Sequence, residues 1–576
     1  MAEISSPIIG IDLGTTNSLV GVFQDGQSRL IPNAFGELLT PSAVSIDAQG
    51  KVLVGMAARE RASSNPASTA QAFKRWMGTD HRVTLSNPDG GTRSFRPEEL
   101  SALVLQTLKA DAEAFLGCTV QEAVITVPAF FNEAQRRATR LAGELAGLKV
   151  ERLLNEPTAA GLAYGIQSRP DHSSFLVFDL GGGTFDVSVL EYFEGVVEVR
   201  ASAGDTRLGG EDFAEALAHL FAERAGLTKE EREAWTQERA GWRLAEQGKR
   251  ELGEKDATEL TMIWRGRELR AQISREEFEK ACQPLLQRLR RPIERALSDA
   301  RIETGGLAEV VLVGGATRMP MIRQMVTKLF HRLPLRTIDP DLAIAQGAAV
   351  QAGLKARDAA LDEVVLTDVM PYSLGIISAD HLDGRLIKDR FSPIIERNTP
   401  VPVSRVEHFQ TVADKQKQIL IDVRQGESPV GSENLRLGTL EIEVPPAPAG
   451  ERGVEVRFTY DVNGLLEVDA REREGGKPHS LLIESTGARM TAAEIAAARE
   501  RLQALKRHPR DEQDNRFMVE RAKRLYEDRM GEERRAISVW LSQFELVLES
   551  QDEREIRRAR QQLREALDSV DRGFRF

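Results

Sequence analysis

The segment Phe178 to Asp186, FDLGGGTFD, constrains the fold of this chain more than any other. An apolar run from Phe175 to Phe178 reads as a strand, breaks at Asp179 and three glycines, and resumes as alternating Val187 and Val189. That pattern predicts a hairpin with a glycine tip. Glycines let the backbone approach a ligand closely and turn N–H groups inward, an arrangement that suits phosphate oxygens, and Thr184 adds a hydroxyl. Asp179 is placed to hold a hydrated magnesium ion. A glycine turn beside an aspartate is also an ordinary turn, so the segment alone leaves both readings open. The balance shifts because Ile9 to Thr16 reads IGIDLGTT: again a strand, Asp12, Gly14, Thr15 and Thr16, followed by a second apolar strand from Leu19 to Phe23. Two matched hairpins imply two matched lobes.

At 576 residues at least three folding units are expected. Lys and Arg total 77 against 88 acidic residues, a net charge of -11. No basic block is long enough for a nucleic-acid tail, so nucleic acid is not expected as a main partner. Cys118 and Cys282 stand far apart in no CxxC pattern, which indicates neither a disulfide framework nor a zinc site. The first basic residue is Arg29 and no run of about 18 apolar residues occurs; the expectation is a cytoplasmic protein without membrane association.

Along the chain, Lys74 sits in a short mixed segment, Phe73 to Trp76, where the ordinary fate of a lysine is solvent. Leu103, Leu108 and Phe115 recur at helical spacing, and Ala123 to Val127 reads as a buried strand ending at Pro128. PAFFNEAQRRATRLAGELAGL then reads as one long helix carrying Arg136 and Arg140 on neighbouring turns. Asn155-Glu156-Pro157-Thr158 stops a strand and opens the helix AAGLAYGI; Glu156 ends that strand as either a cap or a metal-site carboxylate. Glu246, Lys249 and Arg250 fall on one helical face, which reads as a surface ion-pair stripe. Val310 to Val313, Gly314-Gly315 and Ala316-Thr317-Arg318 give a third strand and glycine turn, and Asp341 opens a helix from Leu342 to Leu354. No GxxxxGK[ST] loop is present, so phosphate chemistry rests on the paired hairpins. Residues 363–369 form a short apolar and acidic connection. Beyond it come two-residue alternations (Ile419, Ile421, Val423; Leu440, Ile442, Val444; Val454, Val456, Phe458, Tyr460) and the hairpin signal Asn463-Gly464. Thr491 and Glu494 read as a capping box, and Ile537, Leu541, Phe544 and Leu548 mark a helical face in a charged tail that reads as a small bundle.

With IDLGTTNS, NEPTAAGLAYG, FDLGGGTFDVSVL, AGDTRLGGEDF and VLVGGATRMP in this order, the chain resembles the heat shock protein 70 (DnaK-type) chaperone family over essentially its whole length. IDLGTTNSLVGV, SPIIERNTPVPVSRVE and the short end look most like the bacterial HscC branch. The resemblance implies a multidomain protein: an actin-like, two-lobed α/β ATPase domain (1–362), a linker (363–369), an antiparallel β-sandwich for peptide (370–486) and a helical lid (490–576). By motif match, Asp12, Glu156 and Asp179 would surround a hydrated Mg2+, mainly through water, with K+ as a candidate companion. Lys74 and Thr184 would help position the attacking water. Gly14, Thr15, Thr16, Asn17, Gly181, Gly182 and Gly183 would cradle the phosphates of ATP or ADP, and Glu246, Lys249, Arg250, Gly314, Gly315, Arg318 and Asp341 would form the adenosine pocket. Leu374, Ile376, Phe409, Val412, Ile419 and Ile421 match the peptide site, where the alternative for each is ordinary core. Pro128, Arg136, Arg152 and Asp368 match residues that carry the signal between nucleotide and peptide. A J-domain cochaperone and unfolded clients are the implied partners, and a monomer is the default.

Some positions depart from the family pattern. The linker reads VVLTD, with Thr367 where a leucine run is usual, which bears on coupling strength. Ala379 and Val412 stand near the residues that arch over the peptide, Ala316 replaces an adenosine-contacting Ser, and the region from Leu252 to Ile273 is short where exchange factors act. Need for an exchange factor therefore does not follow. Two other function classes share parts of the pattern: a small-molecule kinase of the same superfamily, which has no use for the β module, and a nucleotide-sensing regulator that holds one client.

Overall fold

The computed structural model describes residues 7–571 apart from 63–64, 88–89, 166–169, 171, 194–195, 239, 336, 359–360, 362–364, 383–384, 462–463, 473–477, 484–512 and 530. The chain divides into two compact units, residues 1–372 with 485–489, and residues 373–484 with 490–576.

The first unit repeats one topology twice. In one sheet the strand Ile8–Asp12 pairs antiparallel with Asn17–Gln24 and parallel with Glu122–Val127, and Lys149–Asn155 lies beyond the latter. In another, Ser173–Leu180 pairs antiparallel with Phe185–Phe193 and parallel with Glu309–Val313. Each repeat is thus a glycine-tipped hairpin flanked by a parallel strand, and each expected hairpin forms. Strands buried on both faces read as continuous apolar runs, which is why Phe175, Leu176, Val177 and Phe178 are all fully buried. A helix of small residues, Ala343–Lys355, lies close against the first sheet and the helix Glu156–Ala163. The fit allows no side chain at Gly10 or Gly347, where a Cβ would overlap the backbone of Ala348 or Ala159.

Local readings need two corrections in this unit. The long helix expected from Pro128 begins only at Glu133, capped by Asn132, whose Oδ1 accepts from Gln135 N at 3.0 Å; PAFF is a buried turn in which Phe131 N donates to the Pro128 carbonyl at 3.1 Å. The helix expected to open at Asn155-Glu156-Pro157-Thr158 does so, running Glu156–Ala163 with Pro157 in the first turn, where no N–H is needed. The connecting segment is not merely a connection, since Val365–Val369 is a strand that extends the second sheet by parallel pairing of Val365, Leu366 and Thr367 with Val196, Val197 and Glu198. The short stretch after Leu252 forms a two-stranded hairpin, Ala257–Trp264 with Arg267–Ser274.

The second unit contains two four-stranded antiparallel sheets. One runs Arg385–Ile395, Leu374–Leu382, Gln418–Gln425, Leu435–Glu443; the other runs Val403–Gln410, Gly453–Tyr460, Leu466–Glu472, His479–Ile483. Their alternation matches burial: Ile419, Ile421 and Val423 face inward while Leu420 between them is 53% exposed. Gly464 closes the turn between Tyr460 and Leu466 at φ +84°, a conformation open to glycine; Asn463 lies outside the described residues, as do Thr491 and Glu494 and so the expected capping box. Three helices, Gln513–Asp528, Gly531–Ser550 and Glu553–Asp571, share a core that includes Met518, Leu525, Ile537, Phe544, Leu548 and Leu563.

Candidate functional site

Lys74 is not the solvated lysine its surroundings suggest. It is buried on a short 3-10 turn, Phe73–Trp76, and its Nζ donates to Glu156 Oε1 at 2.8 Å. Glu156 heads its helix, at the carboxyl end of the strand Lys149–Asn155, so the strand end and the helix start fix it where the lysine arrives. Asp12 ends the strand Ile8–Asp12 and accepts from Thr126 Oγ1 at 3.0 Å. Asp179 and Asp186 stand directly opposite each other in the second hairpin. All four carboxylates are buried.

Burial, and then the Glu156 charge, pushes the Asp12 carboxyl up to about 7 and Asp186 up to about 8. Asp179 is also raised well above its ordinary range, by burial first and then by Glu156, Asp186 and Asp12. Asp186 Oδ1 accepts from Phe130 N at 3.1 Å, and Asp179 Oδ2 is buried with no hydrogen-bond partner. Several buried carboxylates around one lysine form an electrostatically unfinished cluster, and a cation beside them would favour their charged forms. Among the described residues no three carboxylate, imidazole or thiol groups converge closely enough to ligate an ion by themselves.

The two glycine tips meet beside this cluster. A Cβ on Gly182 would collide with Thr16 Oγ1, and one on Gly183 would stand 2.6 Å from Thr15 Cγ2. Gly314, at φ +81°, has no room for a side chain because a Cβ would lie 2.9 Å from Asp179 Oδ1. Gly14 is held by Ser18 Oγ, which accepts from its N–H at 3.2 Å, and by Ser42 Oγ, which donates to its carbonyl at 2.7 Å. Thr15 and Thr184 are buried, Thr16 is exposed, and Asn17, Gly181 and Gly182 are half-buried. Arg75 reaches the second tip, its Nε donating to the Gly183 carbonyl at 3.1 Å and its guanidinium pairing with Asp212.

The charged stripe expected at the surface is only partly there. Lys249 is buried, donates to the Gly210 carbonyl at 2.8 Å and pairs with Glu246 at 2.5 Å, while exposed Arg250 reaches the other Glu246 oxygen at 3.1 Å. Arg318 pairs with Asp341 at 2.9 Å, and a Cβ on Gly315 would stand 3.4 Å from the Asp341 carboxyl carbon. Gly210 bridges the groups: a Cβ there would be 3.2 Å from both Lys249 Nζ and Ala316 Cβ.

Below the cluster runs a relay. Arg136 Nη2 donates to Asn155 Oδ1 at 2.7 Å, and Asn155 Nδ2 donates to Asp368 Oδ1 at 2.6 Å, with Thr158 Oγ1 at 3.4 Å from the same oxygen. Arg152 instead reaches Gln351 Oε1 at 3.2 Å. Pro128 is buried at the head of the turn that carries Phe130. In the second unit Leu374, Ile376, Ile419 and Ile421 are buried on one sheet, and Phe409 and Val412 are half-buried at the end of a strand of the other. Sequence reasoning missed Asp186, Asn155 and Arg75. The first was legible as the residue closing FDLGGGTFD; the other two carry no signal without the pairing across the chain.

A family model described as Hsp70 protein matches residues 8–573. The chain belongs to the Hsp70 family. It is 40% identical over 548 residues to the chaperone protein DnaK of Thermotoga neapolitana, covering 92% of this chain and 85% of the relative. It is 42% identical over 504 residues to DnaK of Thermotoga maritima, 84% and 81% of the two chains. It is 40% identical over 596 residues to the chaperone protein dnaK3 of Thermosynechococcus vestitus, 95% and 85% of the two. This Hsp70 is an ATP-dependent molecular chaperone and an ATPase, with mixed α/β sheets and a helical C-terminal region. The matches give no support to a small-molecule kinase or a single-client regulator. No described helix is long and apolar enough to cross a membrane.

Proposed function

We propose that the carboxylate cluster and the two glycine tips are the hydrolytic site of an actin-like ATPase domain, and that the β-sandwich of the second unit binds extended apolar segments of clients. The observation that carries this reading is the buried Lys74–Glu156 pair, ringed by Asp12, Asp179 and Asp186 where the two tips meet. Asp12, Asp179 and Glu156 would hold Mg2+ mainly through its water shell; the unpaired Asp179 Oδ2 fits that role. The ion, when bound, supplies neutralisation of phosphate charge. Lys74 and Thr184 orient the attacking water, the backbone of residues 14–17 and 181–183 cradles phosphate oxygens, and the residues around Lys249, Gly315 and Arg318 hold the adenosine. No covalent nucleophile is needed, because positioning and fixed charge carry this chemistry.

The relay Arg136–Asn155–Asp368 ties the strand Val365–Val369 to the strand Lys149–Asn155, whose last residue precedes Glu156. Through it, nucleotide state and linker docking bias each other, and a coupling of about 1 to 3 kcal/mol suffices to change peptide affinity markedly. Leu374, Ile376, Ile419, Ile421, Phe409 and Val412 are the candidates for the peptide site, the helices from about 490 for its lid. A J-domain cochaperone, a cytoplasmic setting and a monomeric state belong to this proposal. The test is the dissociation rate of a fluorescent apolar peptide from the full chain in ADP, and again after ATP addition. Release accelerated by ATP, and no longer accelerated in Asp368→Ala, supports the reading; release indifferent to ATP refutes the coupling.

A further inference from the structure

A cavity of about 310 Å³ in the first unit is walled on one side by residues 203–205 and on the other by Arg288, Arg291 and Arg295. The three arginines sit at i, i+3 and i+7 of the helix Gln283–Ala300 and so share a face. Against them the lining offers one acid, Asp205. Arg288 is held in place by Asp205 at 2.7 Å and by the Arg207 carbonyl at 3.2 Å. Arg295 lies with its guanidinium 5.7 Å over the Phe130 ring. Arg291 is exposed and has no ion-pair or hydrogen-bond partner among the described residues. Arg295 also pairs with Asp299 at 3.9 Å, so the unspent positive charge and unused donors of the cavity are those of Arg291.

The cavity adjoins the reaction centre. A Cβ on its wall residue Gly204 would stand 2.6 Å from Asp186 Oδ1 and 2.9 Å from Phe130 Cβ. Phe130 N is the donor to that same Asp186 oxygen. Gly204 and Phe130 therefore touch both the carboxylate cluster and the arginine cavity. Guanidinium forks match the oxygens of phosphate and carboxylate alike, but the oxyanion generated on the other side of Gly204 is the phosphate cut from ATP.

We propose that this cavity is a second oxyanion site, distinct from the γ-phosphate position, which takes inorganic phosphate, with Arg291 as its free cation and Arg288 and Arg295 as preset walls. The inference rests on the hydrolytic site proposed above. It is tested by equilibrium dialysis of radiolabelled inorganic phosphate against the full chain saturated with Mg2+ and a non-hydrolysable ATP analogue, so that the γ-phosphate position is filled. Saturable binding is expected, weakened at least tenfold in Arg291→Glu and displaced by sulfate. Arg290→Glu changes an exposed arginine of the same helix that pairs outward with Glu294 at 2.6 Å, and should bind phosphate as the parent does. Absence of binding beside the analogue, or equal affinity in the two variants, overturns the proposal. So does Arg291-dependent binding of a glutamate-rich peptide without phosphate binding, which would make the cavity a polypeptide site. ATP hydrolysis measured on the same preparations separates the two claims: active protein that binds no second phosphate sinks this inference alone, and inactive parent protein sinks the hydrolytic reading.

Discussion

Thr367→Val should strengthen docking of the linker strand. Thr367 lies in Val365–Val369, paired in parallel with Glu198, and its Oγ1 is buried with no hydrogen-bond partner. A hydroxyl desolvated without compensation costs about 1–3 kcal/mol. When the strand leaves the sheet, that hydroxyl regains water, so the cost falls on the docked state alone. Valine replaces the hydroxyl by a methyl of similar size and keeps the β-branched shape that suits a strand. The docked population should therefore rise by roughly five- to a hundredfold relative to the undocked, at 1.4 kcal/mol per factor of ten. Amide hydrogen exchange of residues 365–369 in the full chain reads this directly, and protease sensitivity of the same segment gives an independent measure. Thr367→Ser, which keeps the hydroxyl and loses the methyl, should show no gain. Asp368→Ala should act oppositely, since it removes the 2.6 Å bond from Asn155, worth about 1.5–3 kcal/mol for a charged acceptor. Equal or lower protection in Thr367→Val would refute the reasoning, because the hydroxyl would then have found a partner in the docked strand.

Lys74→Met should lower the unfolding free energy of the first unit by about 3–5 kcal/mol, the cost of stranding the buried carboxylate of Glu156; denaturant titration checks this, alongside loss of ATP turnover. Gly182→Ala should force the tips apart at Thr16, weakening ATP binding at least tenfold by calorimetry while the second unit keeps its peptide affinity in ADP. In metal-free protein, Asp12 and Asp186 titrate near 7 and 8 folded against an ordinary 3.8. The folded state thus binds more protons between these values, and stability must fall as pH rises from about 4 towards 8, by up to about 1.4 kcal/mol per unit for each group. Scanning calorimetry in chelator from pH 6 to 8.5 should show the decline and saturating Mg2+ with ADP should flatten it; a rise with pH would contradict the assignment. Iodoacetamide at pH 8 should label exposed Cys118 and spare Cys282, which is fully buried and whose thiol burial pushes up to about 12; mass spectrometry of the native protein decides.

The sequence by itself determined whatever depends on neighbours along the chain. Glycine tips, the two-residue alternation of Ile419, Ile421 and Val423, and the helical spacing of Ile537, Phe544 and Leu548 are local patterns, and each element formed as its period required. Even there, PAFF reads as helix yet forms a turn, because an apolar run has no period of its own. The tertiary structure decided everything that needs two distant segments at once. Lys74 looks like any surface lysine until Glu156, 82 residues away, is brought to 2.8 Å. Asn155 becomes a relay only when strand register sets it between Arg136 and Asp368. The acidic linker becomes a strand only beside an open sheet edge, and the arginines of one helix face become a cavity only against Gly204. Periodicity fixes which face a residue occupies, but the charge and hydrogen-bonding partner waiting on that face are set by packing, and it is the partner that makes a buried lysine or carboxylate do chemistry.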